Sequence, residues 1–326
     1  MRAYIIRRLL LTIPTIVIVS FLIFLMMRLV PGTIVDIMVA QLQYFTEEDV
    51  QDIVHSLGFD VPVVVQYGRW LGVVPEEDGG LDGILEGNLG FSMLKGTSVN
   101  EDIAARWPVT FELGLMGILI SQIIALPIGI YSALRQDTWG DYIGRSFAII
   151  CIAVPGFWVG TMIIVLPSIW WGYMPSITLI PFSQDPIGNL KMFIIPALVL
   201  GMEMSGATMR MTRTMMLEVL RQDYIRTAWA KGLRERVVIL RHALKNALIP
   251  LVTIMGWLLP GLIGGTVVIE NIFCLPGMGR LLMQATAQRD YTMVSGVMFI
   301  YSIAMVLINL GVDVAYAYLD PRVRYR

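Results

Sequence analysis

The sequence is dominated by apolar runs, each about as long as a helix needs to be to cross a membrane. These runs occupy roughly 9–27, 109–134, 146–169, 192–209, 247–269 and 292–317. A helix of about 20 apolar residues crosses the hydrocarbon layer and satisfies its own backbone hydrogen bonds there. The chain is 56% hydrophobic and only 15% charged. We therefore predict an all-α, polytopic membrane protein with six transmembrane helices and both termini on one side.

The positions of the charged residues predict which side that is. Of the 24 basic residues, 17 lie in segments that six crossings would place on one side: at 2–8, 135–145, 210–245 and 322–326. Segment 31–107 instead carries 13 acidic residues and three basic ones. Because basic residues concentrate in cytoplasmic loops, both termini are predicted to be cytoplasmic and 31–107 to be extracytoplasmic.

The same pattern divides the chain into three parts. Residues 1–30 form a cytoplasmic head and first transmembrane helix, 31–107 an acidic outer subdomain, and 108–326 the transmembrane core with a cytoplasmic loop at 210–246. Within the outer part, 46–58 reads as a short helix with Thr46 as N-cap and Gly58 as its stop. The first apolar run is longer than a signal-peptide core and has no small-residue cleavage site, so we expect it to be retained.

Several classes of chemistry find no support in the sequence. There is no G-x-x-x-x-G-K-[ST] motif, so any nucleotide hydrolysis must come from other chains. Cys151 and Cys274, with His55 and His242, suggest neither a disulfide framework nor a zinc site, and no metal site is predicted. A net charge of −1 gives no indication of nucleic-acid binding. The 21 methionines form no repeated M-x-x-M array and are read as adaptable core residues.

The central stretch RQDYIRTAWAKGLRERVVILRHALKNALIP, residues 221–250, is the exception to the apolar pattern. Its spacing predicts a short helix, a turn at Gly232 and a second amphipathic helix that leads into the fifth span. Small and apolar side chains would share this surface with basic ones. From charge alone, binding to anionic membrane lipid is the simpler role; the order of the residues favours a docking element.

DYIRTAWAKGL…RHALKNALIP resembles the cytoplasmic EAA loop of ABC-importer permeases, in the form typical of the oligopeptide/dipeptide branch. Arg226, Thr227 and Ala228 occupy the Glu-Ala-Ala positions, and Leu244–Lys245 the distal Leu-Pro pair. YIIRRLLLTIPTIVIVSFLIFLMMRLVPG, LGFDVPVVVQYGRWL, PVTFELGLMGILI, ENIFCLPGMGRLLMQATAQRDY and NLGVDVAYAYLDPRVRY also look like that branch, in order along nearly the whole chain. The chain is thus similar to the B-type permease subunit of peptide/nickel importers.

The resemblance implies a type I ABC-importer permease fold in the bacterial inner membrane. Its implied partners are a homologous second permease, two ATP-binding subunits that hold ATP and Mg²⁺, and an extracytoplasmic substrate-binding protein; the chain itself would bind no cofactor and catalyse nothing. The implied cargo is a peptide, with nickel chelates, glutathione-like compounds and sugars left open. The implied coupling residues are Asp223, Arg226, Thr227, Ala228, Lys231, Gly232 and Leu244, and the implied outer-loop residues are Pro276, Gly277, Gly279 and Arg280.

Glu203 departs from the family pattern because it places a carboxylate inside the fourth span. Such a group usually faces a cavity, a partner or a transport pathway. It is predicted to line a cavity, where it could contact a substrate amine or cation; pairing with Arg210 or with a residue of the partner permease is equally open. The alternative to the importer reading is an ion-coupled secondary transporter or channel that works without an ATPase. That class would require paired ionisable residues within the membrane and internal repeats, and neither is visible here.

Overall fold

The computed structural model describes residues 2–29, 51, 54–55, 60–75, 79–92, 94–172 and 178–319. These residues are mostly helical and fall into two compact units. One unit comprises Val109–Arg280 with Met1–Ile5 and Leu307–Arg326; the other comprises Ile6–Pro108 and Leu281–Val306. The predicted outer helix at 46–58 lies almost entirely outside the described residues.

Long apolar helices account for most of the described chain. Helices α1 (Arg2–Leu29), α3 (Val99–Leu134), α6 (Pro186–Leu220) and α11 (Tyr291–Leu319) each contain a stretch long and apolar enough to cross a membrane. A 28-residue helix, α9 (Lys245–Ile272), occupies the fifth predicted span, and a ten-residue helix, α10 (Met278–Ala287), follows it. The multi-span helical architecture therefore follows the apolar runs. The count of six crossings and the cytoplasmic position of the termini stay predictions.

The third predicted span differs from the expectation of one continuous helix. It consists of α4 (Trp139–Ala153) and α5 (Gly156–Trp171), which meet at an angle of 88°. Pro155 explains the break, because proline lacks an N–H and disfavours helical geometry in the residue before it. Val154 accordingly has an extended conformation, with ψ at 119°. The apolar run at 146–169 gave no indication of this bend.

The described parts of the outer segment contain little regular structure before α3. Its described elements are α2 (Val63–Leu71), a single 3-10 turn (Ile84–Glu86) and an antiparallel hairpin of β1 (Phe91–Ser92) and β2 (Thr97–Ser98). Helix α3 then begins at Val99, so the predicted boundary at 107/108 falls inside a helix. Tyr67 of α2 packs edge-on against Phe21 of α1, with ring centroids 5.2 Å apart, and its hydroxyl lies 2.8 Å from Ser20 Oγ.

The core of the first unit is organised around α6. Asp185 caps the helix by accepting hydrogen bonds from the backbone N–H groups of Ile187 and Gly188, and Pro186 occupies the first helical position. One side of α6 packs against α3, α5 and α9. The buried residues of that cluster are Val109, Leu113, Phe193, Ala197, Val199, Leu200, Ile269, Phe273 and Leu275.

Candidate functional site

The central segment folds as a short helix, a tight turn and a second helix, as its sequence predicts. Helix α7 (Asp223–Ala230) ends in a Schellman motif: Gly232 N–H donates to Trp229 O at 2.9 Å and Leu233 N–H to Ala228 O at 3.4 Å. Gly232 has φ of +71°, a left-handed conformation that glycine adopts without steric cost. After the turn, α8 (Glu235–Val237) and a π-helical segment (Val238–Leu244) lead into α9. The left-handed conformation of the turn therefore explains the glycine at position 232.

The inner face of α7 is held by the chain itself. Ile225 and Ala228 are 1% and 6% exposed, and they belong to a cluster with Ala133, Met216, Val238, Ile239, Ala243 and Ala247. Leu244 is half-buried against the same cluster. Ala228, one of the implied coupling residues, therefore directs its side chain to the interior of the chain and not to its surface. A small residue is needed there because α7 packs closely on the end of α6 and the π-helical segment.

The outer face of α7 remains exposed. Two aromatic side chains, Tyr224 and Trp229, are 43% and 45% exposed. Polar and charged residues are exposed as well: Asp223, Arg226, Thr227 and Lys231. The Arg226 guanidinium lies 3.4 Å from the Asp223 carboxylate. Tyr224 is positioned by Asn246 of α9, whose amide donates to the tyrosine hydroxyl at 2.8 Å. We define the docking face as these exposed residues of α7 with Leu233. It combines two aromatic rings with charged groups of both signs on a fixed backbone.

A buried ion pair fixes the helices next to this element. Arg213 of α6 donates from Nε and Nη2 to the two carboxylate oxygens of Asp141, at 2.8 and 2.7 Å. Asp141, in the first turn of α4, is fully buried and also accepts from Ser132 Oγ and from the Asp137 backbone N–H. Three chain segments thus meet at one carboxylate. Arg213 lies about three turns before α7 begins, so the pair anchors the helix from which α7 extends.

On the predicted outer side, the Pro276–Arg280 turn, whose last three residues are the first turn of α10, wraps around a second buried carboxylate. Glu270 of α9 is fully buried; its Oε1 accepts from Thr110 Oγ1 at 2.7 Å and its Oε2 from the Arg280 backbone N–H at 3.0 Å. Thr110 Oγ1 in turn accepts from the Met278 backbone N–H at 2.8 Å. The Arg280 side chain donates to Cys274 O at 2.6 Å. The turn is therefore built into the core by hydrogen bonds.

This arrangement explains the glycines of the outer turn. A Cβ atom on Gly277 would overlap the Glu270 carboxylate, and one on Gly279 would meet the Val267 backbone. Steric contacts within the chain therefore explain both glycines, without any contact to a partner protein. Pro276 is half-buried and Arg280 partly buried in the same turn, so the turn has only limited free surface for a partner protein.

Glu203 lies near the middle of α6, with its side chain exposed in the isolated chain. Its carboxylate rests against Gly156, the first residue of α5, where a Cβ would overlap Oε2. Within the described ranges, Glu203 makes no hydrogen bond or ion pair, and Arg210 does not reach it. The cavity role stays a prediction, and pairing with Arg210 is not observed among the described residues.

Comparison with known proteins decides the class of the protein. Residues 125–325 match the family described as "Binding-protein-dependent transport system inner membrane component", and residues 1–114 match its N-terminal companion. The chain belongs to this permease family. The predicted identity as a multi-pass inner-membrane permease subunit of an ATP-driven importer is confirmed. Family membership also implies ATP-binding subunits and a substrate-binding protein, and the family is one of non-catalytic subunits.

Individual relatives cover the permease from end to end. It is 40% identical to a peptide transport system permease protein of Brucella abortus (strain 2308), with 100% of both chains covered. It is 38% identical to the oligopeptide transport system permease protein AppB of Bacillus subtilis (strain 168), again over 100% of both, and 35% identical to the glutathione transport system permease protein GsiC of Salmonella paratyphi A over 99% of both. A chain of the inward-facing MetNI methionine ABC transporter aligns over 68% of the permease and 94% of that chain, with 20% identity and a TM-score of 0.49.

Sequence reasoning missed the residues that organise these sites from within. Glu270, Asp141 and Arg213 are absent from the sites that the sequence predicts, although each is an ionisable residue in or beside an apolar run. A charged residue at such a place is costly unless it is paired or hydrogen-bonded, and that cost is the signal that the sequence offers for these three residues, as it does for Glu203.

Proposed function

We propose that this chain is one of two homologous permease subunits of a peptide importer, with six spans and both termini in the cytoplasm. Two ATP-binding subunits would hold ATP and Mg²⁺ and perform the hydrolysis, and a substrate-binding protein would deliver cargo on the side of the Pro276–Arg280 turn. Peptide cargo is supported by the names of the Brucella and Bacillus relatives. The glutathione relative is consistent with it, because glutathione is itself a small peptide.

The observation that carries the proposal is the construction of α7. Its inner face is buried in the chain's own core, while its outer face presents Tyr224 and Trp229 beside charged residues. Exposed aromatic and charged side chains on a rigid element are typical of a protein interface. We infer that the docking face contacts an ATPase subunit. Movement of that subunit would then pass through α7 to α6 and α9, changing which side of the membrane the path opens to.

Gly232 supplies a direct test of this coupling. No atom lies within 4 Å of a Cβ built on Gly232, so Gly232→Glu meets no clash and costs only about 1–2 kcal/mol for the left-handed backbone. It also adds a negative charge beside the docking face. We expect the variant to reach the membrane in normal amount but to lose substrate-stimulated ATP hydrolysis, measured on the complex purified from native membrane.

Gly232→Asn is the matched control, because asparagine tolerates the same backbone conformation without adding charge. It should retain most of the stimulated hydrolysis. Unchanged hydrolysis with Gly232→Glu would remove the turn from the coupling surface. Loss of peptide uptake on deletion of the chain from its native cell tests the cargo separately; retained uptake would contradict peptide as cargo.

A further inference from the structure

The exposed residues of α6 change in position and in character halfway along the helix. In the N-terminal half, apart from Lys191 near the beginning of the helix, they are apolar, as at Ile187, Leu190, Ile194 and Leu198. From Glu203 onward, the exposed residues at successive turns are polar or small: Glu203, Ala207, Arg210, Thr214 and Glu218. The spacing of three or four residues keeps them on one side of the helix. We call this set the polar stripe.

A polar stripe of this kind does not fit a lipid-facing surface. A charged side chain near the middle of a membrane is costly, and such groups face protein or water. The exposed apolar residues of the N-terminal half lie on nearly the opposite side of the helix, since Leu198 and Glu203 are five residues apart, and they suit lipid or an apolar neighbour. Glu203 occupies the deepest position of the polar stripe.

The surroundings of Glu203 are those of a cation site. The carboxylate lies against Gly156, at the break between α4 and α5. Irregular backbone at membrane depth is tolerated where it is buried in protein or lines a water-filled cavity. Phe157 and Trp158, which follow Gly156 directly, are 56% and 52% exposed. Aromatic ring faces attract positive charge, so exposed rings that follow the residue in contact with Glu203 are suited to an organic cation.

The small number of metal-binding side chains limits the type of cation that the site can hold. A bare divalent metal takes several ligands. Within the described part of the chain, no group of three or more His, Cys, Asp or Glu side chains is placed to hold one. A primary ammonium group, by contrast, can be recognised by a single carboxylate through a charge-assisted hydrogen bond.

We propose that Glu203 binds the ammonium group of the cargo while the cargo passes the break between α4 and α5. For a peptide, this group is the terminal amine. This inference rests on the proposed peptide cargo. Because Glu203 has no hydrogen-bond or ionic partner within the described residues, its carboxylate is available for a ligand.

The test compares a free-amine tripeptide, Ala-Phe-Ala, with its N-acetylated form. Each is radiolabelled and its binding to the permease–ATPase complex, purified without the binding protein, is measured by equilibrium dialysis. We expect wild type to prefer the free amine about tenfold or more, the size of one charge-assisted contact. Glu203→Gln should bind both forms with roughly equal affinity, and Glu203→Asp should keep part of the preference.

Glu218→Gln is the matched control. It removes the same charge from the same stripe near the end of α6, where water and salt screen it, and should preserve the preference. Equal weakening of both peptides by Glu203→Gln would overturn the inference in favour of a packing role. Loss of the second permease from the Glu203→Gln complex would overturn it in favour of a subunit contact.

Failure of this inference is distinguishable from failure of the proposed function. If deletion of the chain abolishes peptide uptake while the purified wild-type complex shows no preference for the free amine, only the ammonium site is overturned. If deletion leaves peptide uptake intact, the peptide cargo itself is wrong.

Discussion

At the scale of single residues, this protein is stabilised by buried carboxylates whose oxygens are satisfied from more than one chain segment. Asp141 receives hydrogen bonds from α3, α6 and the α3–α4 connection, and Glu270 from α3 and the outer turn. Asp290, also fully buried, accepts from Ser92 Oγ and from the Met293 backbone N–H at the start of α11. Each carboxylate joins segments that are distant in sequence.

Removal of one such carboxylate should be severe. Asp141→Ala leaves the Arg213 guanidinium, which is mostly buried, without its bidentate partner, and we expect a loss of about 3–5 kcal/mol in unfolding free energy. The loss should appear as a lower Tm in detergent. Glu218→Ala, which removes an exposed acid from the same helix as Arg213, should leave Tm near wild type.

The double variant Asp141→Ala/Arg213→Met shows how much of the lost stability is due to the unpaired charge of Arg213. It should recover much of the lost stability, because replacing both partners removes the unpaired cation and fills its volume. A double variant as unstable as Asp141→Ala would show that packing around Asp141, not the orphaned arginine, sets the cost.

At the scale of elements, α7 is attached through one narrow face. Ala228 and Ala230 lie on the same helix, the first buried and the second exposed. We expect Ala228→Leu to overpack the cluster, at a cost of about 1–3 kcal/mol, and to loosen α7. The measurement is the rate of trypsin cleavage after Arg226 and Lys231 in the folded complex.

Ala230→Leu adds the same volume to the exposed side and should leave the cleavage rate unchanged. If both variants are cleaved at the wild-type rate, the buried alanine does not control the attachment of α7.

The elements also show what sequence can and cannot predict. The helix, turn and helix around Gly232 were predictable, because amphipathic spacing and a glycine stop are local signals. The orientation of Ala228 was not, because whether a small residue faces a partner or the core depends on Met216 and Val238, which lie at other places in the chain. The break at Pro155 was missed because hydropathy averages over a window and ignores a missing N–H. The role of Glu270 emerges only when Thr110, some 160 residues earlier, lies beside it.

At the scale of the whole molecule, sidedness is the property to measure. Single cysteines can be placed at four exposed positions, Glu86, Gln136, Gln184 and Gln222, in a background where Cys151 and Cys274 are serine. With six spans, an impermeant maleimide should label Glu86→Cys and Gln184→Cys in intact spheroplasts. It should label Gln136→Cys and Gln222→Cys only in inside-out vesicles.

The pair Gln136 and Gln184 is the informative one, since these positions flank α4 and α5. If both react from the same side, the bent pair is a re-entrant loop and not a crossing. The number of spans would then change by one, and the two termini would lie on opposite sides of the membrane. Labelling from opposite sides supports the crossing.

The 88° break has a further consequence for how the chain is assembled during synthesis. Helices α4 and α5 have 15 and 16 residues and are about 22–24 Å long, so neither matches the roughly 30 Å of hydrocarbon alone. Both pack against α6, which leaves the ribosome only after them. We therefore expect the packing of these two short helices to be completed only when α6 arrives, so that the insertion of this region depends on the order of synthesis as well as on hydrophobicity.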